Sequence, residues 1–149
     1  MPIGTLKNVF AFFCLDSVLY ILISLVSYSS LDPSLSSISS LSGNIQNLGG
    51  PFGAYLSDAL FSVVGLGAYL FLVIISFAAV KSLFFYQPTD RFHKIIKITS
   101  AIFLISSFAT LCEFYYSGDY FPQASSGGLI GDLIFSNLSN IFGVVGSLI

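Results

Sequence analysis

Few side chains in this sequence could do chemistry. Asp16 is the one acid well inside an apolar run, and a carboxylate within a membrane is a natural candidate for moving protons or ions. No second carboxylate shares its depth, so the favoured reading has Asp16 facing a helix bundle near the inner interface, hydrated or neutralised by Lys94 or Lys97. His93, the sole histidine, lies among Arg91, Lys94 and Lys97, which describes a solvated basic face rather than a ligand or general base. Cys14 and Cys112 sit in apolar runs and read as small hydrophobes rather than as a bridge. Asp58 and Asp132 suit the positive ends of helices and read as caps. The motifs G-x-x-x-x-G-K-[ST], H-E-x-x-H, G-x-S-x-G and C-x-x-C do not occur, so there is no phosphate cradle, zinc pair or nucleophile elbow. No catalysis, cofactor or metal site is expected.

The elements that carry these residues are set by hydropathy. Of 149 residues 55% are hydrophobic and only 8% charged, with 16 Phe and 8 Tyr, and the mean hydropathy is +0.91. A water-soluble fold would have to expose apolar patches far larger than monomers tolerate, so the first partner is a lipid bilayer. A net charge of −2 supplies no basic surface for counterion release, which argues against direct nucleic-acid contact. Residues 9–28 form a twenty-residue apolar run, matching a hydrocarbon core of roughly 30 Å. The second run, 59–80, has twenty-two residues without a charge. The third, 95–112, has eighteen if Lys97 snorkels to the headgroups. Outer loops are predicted over 29–58 and 113–140 and an inner loop over 81–94. Within the first outer loop, residues 27–42 hold nine serines beside Asp32 and Pro33, the composition of an exposed turn and linker. Phe84, Phe85 and Tyr86 resemble an interfacial aromatic belt.

All five cations, Lys7, Lys81, Arg91, Lys94 and Lys97, flank the amino terminus or the 81–94 segment. Cytoplasmic flanks accumulate Lys and Arg, so both are placed inside and the other two loops outside. The basic cluster can also attract anionic lipid.

A shift of 78 residues aligns the string from Gly49 with the string from Gly127. Gly49, Gly50, Gly53 and Gly65 then coincide with Gly127, Gly128, Gly131 and Gly143, and Leu60 and Leu70 with Leu138 and Leu148. The predicted architecture is an all-α membrane bundle built as two tandem helix-loop-helix repeats, with three complete spans and the start of a fourth from about 141. Nine residues from Ile141 rise about 14 Å, less than half a bilayer, so the fourth helix is expected to be cut short. The Gly-x-x-x-Gly pairs could let helices touch backbone to backbone, but a turn or cap through which the chain re-enters the membrane is the simpler reading. If the stretches that follow are helical, 54–58 and 132–140 are mildly amphipathic and suit an interface.

The order SYSSLDPSL, NLGGPFGAYLSDALF, a basic inner loop and SSGGLIGDLI resembles the four-helix membrane domain of FtsK/SpoIIIE-type DNA translocases. The most specific part is 47–61, with Asn-Leu-Gly-Gly, a second Gly-Ala, an aromatic and an Asp; Ser126 to Gly131 follows. The resemblance implies a multi-pass inner-membrane anchor with a cytoplasmic amino terminus, placed at the division septum among other division proteins. It also implies a homo-oligomer formed through a longer parent, whose ATP-driven motor clears chromosomal DNA. Two alternatives come from other classes. Half of a small transporter would use the repeats and buried glycines, although it needs mid-membrane polar groups and no broken helix is predicted; a lipid-binding accessory subunit would use the basic loop.

Overall fold

The computed structural model describes residues 3–35, 45–84, 90–116 and 125–146, with side-chain surroundings given between residues 8 and 143. Readings that fall on Phe85, Tyr86, Pro88, the middle of the serine-rich segment, 117–124, 147–149 and the Lys7 side chain lie outside the described residues. Every described element is an α-helix: α1 (Ile3–Val26), α2 (Gly50–Val64), α3 (Gly67–Phe84), α4 (Arg91–Tyr115) and α5 (Gly128–Gly146).

Among the described residues three helices are long and apolar enough to cross a membrane: Asn8–Val26, Gly67–Phe84 and Arg91–Tyr115. Large apolar side chains such as Phe10, Phe12, Phe13 and Phe103 point away from the bundle. That outward face suits lipid, because backbone hydrogen bonds are closed within each helix and hydrocarbon carries no penalty for apolar side chains. The inward face is made of small residues. Ala11, Ala54, Ala68, Ala79 and Ala109 are all buried, so helices approach closely and gain dispersion contact where lipid removes the hydrophobic drive. Larger side chains are buried mainly at one end, where Leu25, Phe61, Ala68 and Leu72 pack with Tyr28 and Tyr69.

α1 packs chiefly on α3, and α4 on α5. α1 and α3 are antiparallel: Phe10 and Ser82 line one cavity, while at the far end the Tyr69 hydroxyl donates to the Leu25 carbonyl at 3.4 Å. The bundle therefore has a charged end and a glycine end. Lys81 occupies the last turn of α3, and Arg91, Lys94 and Lys97 are exposed in the opening turns of α4.

The 59–80 run is not one helix. α2 closes at Gly65 (φ 56°, ψ −135°), and α3 starts afresh at Gly67. Hydropathy is blind to this break because the glycine that makes it is itself apolar. A second kink lies at Gly143 (φ 72°, ψ 167°) inside α5. Most of what reads as outer loop over 50–58 and 128–140 is accordingly helical.

Candidate functional site at the glycine turns

Both Gly-Gly pairs form the turn that opens a helix. The Gly50 N–H donates to the Asn47 carbonyl at 2.9 Å, and the Gly128 N–H to the Ser125 carbonyl at 2.8 Å. The neighbouring glycines are packing positions as well. A Cβ on Gly53 would lie 2.7 Å from both Asn47 Oδ1 and Ser24 Oγ. One on Gly131 would lie 2.7 Å from the Ala109 carbonyl oxygen. Gly49 and Gly127 close on Ser24 and on Ala109 in the same way. Turn and helix contact, which the sequence presents as rival readings, coexist in one motif.

The break at Gly65 meets the second turn directly. The Leu66 N–H donates to the Ser126 carbonyl at 2.9 Å, and a Cβ on Gly65 would fall 2.6 Å from the Gly128 nitrogen. Positive φ and this backbone contact together require glycine at both places, since either a side chain or an ordinary φ would part the two strands of chain. The Ser126 hydroxyl donates onward to the Cys112 and Tyr116 carbonyls at 3.0 and 3.1 Å. The Gly127 N–H is taken by Glu113 Oε2 at 2.9 Å.

A buried polar cluster fixes the first turn. Asp32 accepts from the Gln46 and Asn47 N–H groups, both at 2.8 Å. Asn47 Nδ2 donates to the Ser24 carbonyl at 2.8 Å, and its Oδ1 receives the Gly49 N–H at 2.8 Å. Asp32 is thus buried rather than part of an exposed linker, because its lone pairs satisfy backbone donors fourteen and fifteen residues away. Asp58 likewise does not cap a helix. It lies in the middle of α2, fully buried, and accepts from the Tyr28 hydroxyl at 3.1 Å. Burial first, then the nearby Asp58 charge and the hydrogen bond, push the Tyr28 phenol up to about 12. Asp132 sits beyond the first turn of α5, exposed.

Asp16 is exposed. It lines a shallow cavity of about 350 Å³ with Ser17, Tyr20 and Ile21 of α1 and Phe52 and Leu56 of α2. Its neighbour is therefore α2, which packs over the C-terminal half of α1, and not the charged end near Lys94 and Lys97. His93 is exposed beside Phe92 at the start of α4. Cys14 and Cys112 are free thiols.

A family model described as the 4TM region of DNA translocase FtsK/SpoIIIE matches residues 4–149. The chain belongs to this family. Similar curated proteins are each named DNA translocase FtsK. The one from Pseudomonas putida is 30% identical over 135 residues, which cover 87% of this chain and 16% of that protein. The one from Shewanella oneidensis is 30% identical over 139 residues, covering 90% and 15%. The one from Vibrio vulnificus is 31% identical over 123 residues, covering 78% and 12%. The chain thus spans only a small part of the length of these relatives. No solved structure is significantly similar.

Within this FtsK-type membrane domain, sequence reasoning missed Ser24, Asn47 and Ser126, which hold the two turns in place. Asn47 and Ser126 stand just before their Gly-Gly pairs, and that position is the only local hint. The transport alternative draws no support from the break it lacked in sequence. The Leu66 N–H beside the interruption is spent on Ser126, and the Asn47 amide on Ser24, so these groups are closed on the protein itself.

Proposed function

We propose that this chain is the membrane anchor and division-site targeting part of an FtsK-type DNA translocase. The amino terminus and the 81–94 segment face the cytoplasm, and the glycine turns face outward. The observation that carries this reading is the segregation along the bundle axis: cations gather at one end, while the buried polar cluster and both glycine turns occupy the other. A longitudinal asymmetry of this kind orients a multi-pass protein through the positive-inside rule. It also leaves a rigid outer face on which membrane proteins of the division site can dock. Coupling of division to chromosome partition then belongs to a longer parent carrying the motor, for which this domain is the tether.

The test is localisation. A fluorescent protein fused to the amino terminus of this chain gathers at mid-cell in dividing bacteria, and uniform peripheral fluorescence rejects the targeting role.

A further inference from the structure

One face of α1 meets no other helix over the whole length of the span. Val9, Phe12, Phe13, Leu19, Ile23 and Val26 recur at helical spacing and are all exposed, so they form a single apolar stripe. Asp16 fills the one gap in that stripe, and it too is exposed. At 1.5 Å per residue it stands about 12 Å from Asn8 and about 15 Å from Val26, close to the middle of the span. A stripe that met only lipid would have no use for this carboxylate, because hydrocarbon neither hydrates nor neutralises it.

The chain does not supply a partner of its own. Asp16 makes no hydrogen bond or ion pair among the described residues. The hydroxyls beside it are committed elsewhere: that of Ser17 donates to the Phe13 carbonyl at 2.8 Å, and that of Tyr20 to the Gly49 carbonyl at 2.7 Å. Lys7 lies about two and a half turns earlier on α1, which puts its position on the opposite face of the helix. α1 packs on α2 and α3 and meets neither α4 nor α5, so Arg91, Lys94 and Lys97 are not neighbours. Lys97, the deepest of the three, is the third residue of its apolar run, whereas Asp16 is the eighth of its own. Five residues amount to about 7 Å, and the lysine stem carries its amine further outward. A second copy therefore offers no cation at the depth of Asp16, and the amine of a lipid stays among the headgroups.

The cavity at Asp16 has apolar walls around this one carboxylate. Phe52 and Leu56 of α2 stand on one side and Tyr20 and Ile21 of α1 on the other, and the Phe52 and Tyr20 rings lie 6.2 Å apart between centroids. About 350 Å³ admits one long side chain but not a helix, whose body must lie outside along the α1 stripe. We infer that this groove receives a membrane-spanning helix of a different protein, whose lysine or arginine at mid-membrane enters between Phe52 and Tyr20 and pairs with Asp16. The apolar flanks of that helix lie along Phe12, Phe13 and Leu19. Away from water each charge gains more from its partner than it would at a surface, so recognition is by charge and by depth together. The inference needs only that α1 crosses a membrane. It is independent of where in the cell the protein works, since a chain that failed to gather at mid-cell would still bind the same helix.

The test uses the full chain in lipid vesicles, labelled at its amino terminus with a fluorescence donor. It is titrated with acceptor-labelled polyleucine helices that carry one central arginine, leucine or glutamate. The arginine helix is expected to bind about ten times more tightly than the leucine helix, and moving the arginine two turns from the centre should remove the advantage. Asp16→Leu abolishes the preference, and Asp16→Lys transfers it to the glutamate helix. Position 16 is exposed, so both variants should unfold at the temperature of the parent chain. Phe52→Ala removes one wall of the groove, leaves the carboxylate, and weakens arginine binding several-fold. Equal affinity for the arginine and leucine helices, or a preference that survives Asp16→Leu, overturns the inference. Undiminished binding to Phe52→Ala reduces Asp16 to a bare charge on a helix and overturns the groove. If labelled copies of the chain associate with one another only while Asp16 is intact, the occupant is a second copy and the inference fails.

Discussion

The Tyr28 hydroxyl, just beyond the first span, donates to Oδ1 of Asp58 at 3.1 Å and so ties α1 to a carboxylate buried in the middle of α2. The Tyr28 ring packs on Phe61 at 5.0 Å between centroids, within the apolar cluster that holds Leu25 and Leu72. Tyr28→Phe keeps the ring contact and deletes one hydrogen bond. A loss of about 1–2 kcal/mol is expected, read as a lower unfolding temperature in detergent, and an unchanged temperature would show the bond to be energetically idle.

The same pair sets a pH window. The folded pKa of Tyr28 stands at about 12 against the ordinary 10.0. Because the folded state holds this proton more tightly, its contribution is complete below pH 10 and is lost as pH climbs towards 12. Titration of tyrosinate absorbance should show a component ionising well after the exposed phenols, and Tyr28→Phe should diminish that late component. A titration curve that Tyr28→Phe leaves unchanged would refute the assignment.

Glycines of one motif should respond differently to alanine. At Gly131 the new methyl faces the Ala109 carbonyl, which is backbone and cannot step aside, so a cost of about 1–3 kcal/mol is expected. At Gly53 it faces the ends of Asn47 and Ser24 side chains. Adding Ser24→Ala should therefore recover part of the loss from Gly53→Ala, whereas no side-chain truncation should rescue Gly131→Ala. Equal behaviour at the two sites in thermal unfolding would contradict this geometry.

Apolar length and charge placement made the bundle legible in the sequence, because crossing lipid depends on little else. Three of the described helices are span-length, in the neighbourhood of the three apolar runs. What hydropathy could not convey was conformation inside an apolar run: Gly65 breaks 59–80 through its φ, and no polar residue marks the spot. Composition misled at Asp32, where Asp-Pro among serines describes a solvated turn unless distant donors arrive, and here Gln46 and Asn47 supply them. It misled again at Asp58, whose partner Tyr28 lies thirty residues away. The position of Asp16 beside α2 depends on that helix packing back over α1, a tertiary fact with no local signature.

Orientation can be tested with single thiols in a background of Cys14→Ala and Cys112→Ala. Leu31 and Asp90 are both exposed, on opposite sides of the bundle in the proposed topology. An impermeant maleimide added to right-side-out spheroplasts should label Leu31→Cys, and Asp90→Cys only after lysis. The reverse pattern would invert the molecule and remove the basis for a cytoplasmic amino terminus.

Asp32 offers the most local perturbation of the first glycine turn. Its carboxylate receives two backbone N–H groups, and the Asn47 donor is buried, so Asp32→Ala leaves that group without its acceptor at a cost of about 1–3 kcal/mol. Asp32→Asn should not rescue fully, since the amide presents an NH2 to one of two donors. Because Asn47 in turn holds the Ser24 carbonyl and the Gly49 N–H, the damage should spread to the opening of α2 and stop there. Hydrogen exchange should accelerate at residues 46–53 while the amides at the centre of α4 keep their protection. Uniform acceleration across both regions would mean that Asp32 supports the whole bundle rather than the one turn.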